Sequence, residues 1–284
     1  MNNMMINNNA TVNFEYTKAF THGGCFHADD VFATALLLLI NKDLQIERCF
    51  KVPEDYEGIV YDIGGGQFDH HQADHEIREN GVPYAAFGLL WREFGEFFGS
   101  PKVVEEVDKT LVQSIDSADN GVEGNLLNSV ISHFNPNWNE DAKPDAAFKQ
   151  AVSVAQMILI KAVRSAASKF AAEELVVQAM EESDGNILVL PKFAPWQSYV
   201  MGSEYKYVVF PSNRGGYNIQ GVPVEEGSFE LAKPLPESWR GKPADQLPEL
   251  TGVKDCTFVH PSGFLGSCRT KEGALALAKK ALEY

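Results

Sequence analysis

Apolar and polar positions divide the chain into segments of different period. After two leading aspartates, residues 29–40 are apolar on nearly every side, which predicts a buried helix. Around it, residues 17–21, 44–52 and 58–63 read as strands, the last running straight into Gly64-Gly65-Gly66. Strand, helix, strand, strand with glycine-rich exits predicts an open α/β sheet. In such sheets ligands sit beyond the carboxyl ends of the strands. Amphipathic helices are predicted over 85–98 and 102–118, then a loop rich in Asn and Asp over 135–143. Pro144 suits the first turn of a long Ala-rich helix reaching about residue 182, with 183–185 as its stop.

The last hundred residues follow a shorter rhythm. A strand is predicted at 187–190, and strands 205–210 and 217–223 flank the hairpin signal Asn213-Arg214-Gly215-Gly216. Pro-rich turns fill 234–248, and a strand follows at 256–260. A Gly/Ser loop over 261–267 then leads to a terminal helix from Thr270. The expected organisation is a first α/β domain over 14–143, a connecting helix over 144–185 and a smaller α+β domain over 186–284. No internal repeat is visible.

Composition narrows the function. A chain of 284 residues with 44% hydrophobic and 22% charged positions is globular, which excludes collagen, disorder and a membrane bundle. The longest apolar run, 31–40, is far shorter than a membrane span. Lys and Arg total 24 against 39 Asp and Glu, a net charge of -15. That balance disfavours coating long duplex DNA or an anionic membrane, so a nucleic-acid partner must be short or held by metal or a local basic cleft. The cysteines are Cys25, Cys49, Cys256 and Cys268, without a C-x-x-C pair. They are expected as free thiols of a reducing compartment, not as a zinc ribbon or redox motif. The opening MNNMMINNNA has neither a charged nor an apolar leader region and reads as a polar tail, so the expected location is the cytoplasm.

The chemistry concentrates in three clusters. His22-Gly23-Gly24-Cys25-Phe26-His27-Ala28-Asp29-Asp30 spans a strand end and a helix start, where a loop can aim several side chains at one point. Asp69-His70-His71 follows Tyr61-Asp62-Ile63, and Asp62 lies at a predicted strand exit. Asp116 and Asp119 share a face at a helix end. Singly, each has an ordinary structural explanation: a loop histidine, a surface turn or a helix cap. Together, imidazoles and carboxylates suit divalent metals of intermediate softness such as manganese or iron. Paired metals bridged by one carboxylate serve in-line displacement at phosphorus.

At these residues the chain resembles the DHH phosphoesterase superfamily, named for the motif standing here as Asp69-His70-His71. More closely it is similar to the melanocyte-proliferating-gene (Myg) family of DHH-type 3′-to-5′ RNA exonucleases. The likeness covers THGGCFHADD, YDIGGGQFDHHQ, SIDSADNG, Pro195-Trp196, GVPVE, Trp239-Arg240-Gly241 and FVHPSGFLGSCRTKEGALALA. It implies a DHH phosphoesterase-like parallel-sheet domain plus a smaller α+β domain that grips substrate. It implies two divalent metals, with manganese expected and magnesium or iron as alternatives, and hydrolysis by a hydroxide attacking phosphorus. His22, His27 and Asp62 are the implied ligands of one metal, and Asp29, Asp62 and His70 those of the other, with Asp62 bridging. A further carboxylate is expected from Asp116 or Asp119. Asp69 is expected to orient His70, and His71 to meet the substrate phosphate and assist proton transfer. Most superfamily members carry Asp where His27 stands, and the spacing from His22 is one residue longer here.

For substrate, the loop containing His260, Ser262, Gly263 and Gly266, with Arg269 and Thr270 at the following helix, is expected to hold a phosphate through its amides and Arg269. Arg214 is a weaker candidate. Trp196 and Trp239 are expected in packing, with base stacking as the alternative, and His75 and His133 as structural or surface histidines. The implied partner is a short RNA or other phosphate ester. The other readings are a phosphohydrolase of pyrophosphate or dinucleotides, and a non-enzymatic metal-binding regulator.

Overall fold

The computed structural model describes residues 13–183, 185–225 and 227–284. The N-terminal polar stretch and Asp184 of the expected helix stop lie outside the described residues. The chain divides into two compact units, one ending at Ala167 and the other running from Ser168 to Tyr284.

The first unit begins with β1 (Lys18–His22), α1 (Ala28–Ile40), β2 (Gln45–Cys49) and β3 (Ile59–Val60). All pairings are parallel in the order β2-β1-β3, so β1 is central. A central parallel strand is covered on both faces, and Ala19, Phe20 and Thr21 are buried accordingly. Residues 28–37 of α1 are all buried, as its apolar surround demands. Then come α2 (Ala86–Phe94), α3 (Pro101–Val107), a π-helical turn (Asp108–Val112), α4 (Gln113–Asp119), α5 (Leu126–Ser132) and α6 (Pro144–Ala171). Phe32, Leu36, Phe87, Leu90, Trp91 and Ile115 form the interior of this unit.

The second unit contains α7 (Glu173–Glu182), β4 (Ile187–Val189), α8 (Gln197–Val200), β5 (Tyr207–Pro211), β6 (Tyr217–Gly221), α9 (Leu247–Thr251), β7 (Cys256–Val259), β8 (Leu265–Cys268) and α10 (Lys271–Glu283). Its sheet runs β4-β5-β6-β8-β7, with only β4 and β5 parallel. The two-residue period sorts β5: Tyr207 and Val209 join the core formed with Ala274, Leu277 and Ala281 of α10. Val208 and Phe210 face the other way, into a core with Val176, Ala179 and Val200 of α7 and α8. Mixed α/β architecture with one parallel sheet and a second sheet is the observed fold.

Two expectations need correction. The helix predicted over 144–182 breaks at Ala172, between α6 and α7. Alanine favours helix strongly, so composition hides the break, and the break lets Val176 and Ala179 turn into the core of the second unit. By length and composition alone, the span 144–182 is long and apolar enough to cross a membrane, a third of the window tested being buried. Its buried stripe, Phe148, Ala151, Val152, Ala155, Leu159 and Val163, has the spacing of a core-facing helix. The loop expected over 261–267 contains β8, whose Gly266 and Ser267 carry no strand preference but are fixed by pairing with Ile219 and Asn218.

Candidate metal centre

Local backbone chemistry builds the centre from two loops and one helix end of the first unit. β1 ends at His22, and Gly23 N–H donates to Cys49 O at 2.8 Å, holding the loop to β2. Gly24 takes φ +85°, which a side chain would resist. Asn135 then clamps the next peptide on both sides: it accepts from Phe26 N–H at 3.0 Å and donates to Phe26 O at 2.8 Å. α1 starts immediately afterwards, and Asp30 accepts the His27 backbone N–H at 2.9 Å. The second loop leaves β3. Asp62 sits at φ +56°, the left-handed region that Asp and Asn tolerate best, and its N–H donates to Phe68 O at 3.0 Å. The third contribution is the C-terminal end of α4.

These segments bring six of the seven expected ligands together. Donor atoms of His22, His27 and Asp62 lie mutually within 4.8 Å, as do those of His27, Asp29 and Asp119, and those of Asp62 with Asp69, His70 and His71. His22 Nδ1 lies 3.1 Å from Gly23 O, which can only accept, so Nδ1 carries the proton and Nε2 is left to ligate. Nε2 stands 3.1 Å from Asp62 and 3.2 Å from Asp30. His70 Nε2 lies 3.0 Å from Asp119, and its Nδ1 faces Asp62 at 3.5 Å.

The donor set has the signature of a cation site. Among the described residues, both oxygens of Asp29, one each of Asp30 and Asp62, and His70 Nδ1 are buried without a hydrogen-bond partner. Bare buried carboxylates are costly unless neutralised. Burial and then repulsion from Asp62, Asp119 and Asp30 push Asp29 well above the ordinary carboxylate range. Burial also raises Asp30 against the pull of His22. Burial would lower His22, yet Asp30 and Asp62 carry it up to about 10. His70 is raised despite burial, chiefly by Asp119, and Asp119 is correspondingly lowered by His70 despite its own burial. Without metal the cluster thus holds protons among its carboxylates, which divalent cations would displace. The residues present therefore fit a metal.

Two expected roles are corrected. Asp116, fully buried, is committed elsewhere: Arg78 Nη2 donates to it at 2.8 Å and Gly88 N–H at 3.0 Å. A side chain at position 88 would collide with the Asp116 carboxylate, so glycine there permits the bond. The Asp116 carboxyl is pushed up to about 7 by burial, against the opposing pull of Arg78. Asp116 braces α4, and Asp119 is the carboxylate presented to the centre. Asp69 partners His71, not His70: its Oδ1 lies 2.7 Å from His71 Nδ1 and accepts from the His71 N–H at 3.2 Å. Its Oδ2 accepts Gly65 N–H at 2.7 Å. Burial opposes, but these bonds hold the Asp69 carboxyl below its ordinary value. The His71 side chain is 62% exposed and stacks on His70 with ring centroids 4.3 Å apart.

The substrate-binding residues expected from the sequence lie in the second unit and form no phosphate cradle. His260 Nδ1 is 2.9 Å from Ser262 Oγ, and Gly263 N–H donates to His260 O, closing a tight turn. Gly266 is paired within β8. Thr270 caps α10, accepting from Gly273 N–H at 3.0 Å while its own N–H donates to the Asp255 carboxylate at 2.9 Å. The α10 N-terminus therefore already holds an internal anion, Asp255, and the phosphate expected there is displaced by it. Arg269 and Arg214 are exposed. Trp196 and Trp239 are buried in the two cores of the second unit, which excludes surface stacking. His75 and His133 are exposed.

Residues that sequence reasoning missed are Asp30, Arg78, Asn135 and Phe50. The Phe50 ring is 85% exposed and lies against Gly23, 3.3 Å from where a side chain at that position would begin. Asp30 stood within the quoted motif, but nothing local marks Arg78 or Asn135.

The fold and this cluster together define a mixed α/β protein with a His/Asp centre suited to divalent metal. The MYG1_exonuc family model, described as an uncharacterised protein family (UPF0160), matches residues 18–282, and the chain belongs to that family. It is 30% identical to the human protein named MYG1 exonuclease, over 92% of this chain and 85% of that one. It is 28% identical to the MYG1 protein of Dictyostelium discoideum, over 92% and 95%. A MYG1 protein of Saccharomyces cerevisiae is 30% identical over 92% and 94%. No solved structure matches.

Proposed function

We propose that this protein is a DHH-type, metal-dependent phosphodiesterase that removes nucleotides from the 3′ end of short single-stranded RNA. The observation that carries the reading is the convergence of His22, His27, Asp29, Asp62, His70 and Asp119, with both buried oxygens of Asp29 lacking any donor. The relatives named MYG1 exonuclease in human, rat and mouse support the nuclease class. Once cations displace the shared protons, Asp29, Asp30, Asp62 and Asp119 offer four negative charges, which two divalent cations would balance; manganese suits the mixed nitrogen and oxygen donors. When bound, such cations supply an acidified water and neutralise charge developing at phosphorus.

The chain's own groups do the rest. Asp62, at the carboxyl edge of β3, faces both His22 and His70 and would be the ligand common to both cations. Asp119 fixes the His70 ring through Nε2. Asp69 holds the His71 proton on Nδ1, so Nε2 is presented outward to accept or deliver a proton at the substrate. Cytoplasmic location is part of the proposal, and the four free thiols suit a reducing compartment.

The test is a hydrolysis assay on 5′-labelled RNA in manganese. A ladder shortening from the 3′ end, lost on chelation and in Asp62→Asn, is expected. Turnover of pyrophosphate or dinucleotides with RNA untouched would instead establish the small-molecule reading. Metal binding without any phosphate-ester hydrolysis would leave the regulator.

A further inference from the structure

Within the second unit, helices cover only half of one face of its sheet. On the side away from α10, α7 and α8 pack over β4 and β5. The corresponding face of β6, β8 and β7 carries a groove of about 660 Å³. Strand alternation sets its floor: Ile219 and Cys268 turn toward α10, so Asn218, Gln220 and Ser267 turn toward the groove. β7 has an irregular register between Cys256 and Phe258. This bulge lets Cys256 and Val259 both face the α10 core although three apart, and leaves Thr257 and Phe258 together on the groove side.

The chemistry of this face is specific. Phe193 and Phe258 at its margins are 55% and 42% exposed. The rest of the lining mixes the amides and hydroxyls of Asn218, Gln220, Thr257 and Ser267 with the apolar side chains of Phe210, Phe264 and Leu265. Asn218 accepts from Ser267 Oγ at 2.8 Å, keeping both its N–H groups as donors, and the Gln220 amide makes no hydrogen bond among the described residues. In a chain with 39 acidic residues, no described residue lining the groove is acidic, and its one charged residue is Arg214. A groove that sets ring faces beside amides and one guanidinium, and holds no carboxylate, fits an anionic strand carrying unpaired bases. Aromatic faces stack unpaired bases, amides read base edges, and a guanidinium pairs with phosphate.

We infer that this sheet face binds single-stranded RNA, stacking bases on Phe193 and Phe258 above Asn218 and Gln220, with Arg214 on the backbone. The identity of the strand rests on the exonuclease reading, whereas the binding face can be tested separately. The experiment is fluorescence anisotropy of a short 5′-labelled oligouridylate on the full-length protein in chelator, where no hydrolysis occurs. Phe193→Leu and Phe258→Leu, both at exposed positions, are each expected to weaken binding about tenfold. Phe258→Tyr, which keeps the ring, is expected to bind like the parent. Phe229→Leu, at a fully exposed position outside the groove, is the control. Unchanged affinity in both leucine variants would overturn the inference, as would equal binding of a duplex, whose bases cannot be stacked this way. A protein that binds the strand through these rings but never hydrolyses RNA would sustain this face and sink the exonuclease reading. One that hydrolyses RNA with these variants binding normally would do the reverse.

Discussion

Arg78→Met is the perturbation that most sharply separates the brace from the centre. Arg78 donates to Asp116 at 2.8 Å, to Asp108 at 2.9 Å and to Pro83 O at 3.2 Å, and its guanidinium lies 3.9 Å from the Tyr84 ring centroid. Methionine keeps the apolar stem and removes every donor. Asp116 then keeps the Gly88 N–H but loses its charge partner in a fully buried site. Breaking a buried pair in this way costs about 3–5 kcal/mol. Protonation relieves part of it. The folded-state Asp116 carboxyl is already raised from 3.8 to about 7, and losing Arg78 raises it further. A carboxyl raised on folding takes up a proton in the folded state, so stability rises as pH falls through that window. The deficit of the variant should be largest at alkaline pH, shrink by up to ~1.4 kcal/mol per pH unit on acidification toward the parent's Asp116 value of about 7, and level off below it, where both carboxyls are protonated. Urea unfolding at alkaline and mildly acidic pH measures it, and amide exchange in α2 and α4 assigns the loss to the first unit. Adding Asp116→Asn should restore most of the stability, because the only charge still unpaired, Asp108, is partly exposed. A variant within ~0.5 kcal/mol of the parent at alkaline pH would refute the brace, since surface substitutions alone give that much.

Other outcomes follow from the same contacts. Asp119→Asn should weaken Mn²⁺ binding by more than about tenfold in equilibrium titration, whereas Asp116→Asn should lower stability and leave affinity within about threefold. Asp62→Asn should abolish RNA hydrolysis with an unchanged circular dichroism spectrum, because Asn also accepts the left-handed backbone at that position. Asp69→Asn should lower kcat about 10²-fold and shift its pH profile, while metal content stays at the parent level. Asn135→Ala strips both bonds from the Phe26 peptide and should cost about 1–3 kcal/mol by thermal unfolding.

Much of the centre is legible in the chain because local pattern places it. A strand ending at His22, two glycines and a buried helix beginning with aspartates put those donors at the carboxyl edge of a parallel sheet. Asp62 is legible for the same reason, just beyond β3. What separates Asp116 from Asp119 is not local. Both sit on one helix end, and the deciding group, Arg78, is 38 residues away in sequence from Asp116. The Asp69 partner is equally hidden, because adjacent histidines differ only in ring direction. At the other end of the chain, the phosphate cradle expected near Thr270 fails because Asp255, 15 residues earlier, already caps that helix. β8 escaped notice because pairing with β6 and β7, not intrinsic preference, makes its Gly-Ser sequence a strand.

Metal stoichiometry tests the central claim most directly. Purified protein dialysed against Mn²⁺ and analysed for bound metal should retain close to two ions per chain, and Asp62→Asn, lacking the shared carboxylate, at most one. Retention of no ion by the parent chain, or equal retention by Asp62→Asn, would contradict the assignment of these side chains to a two-cation centre.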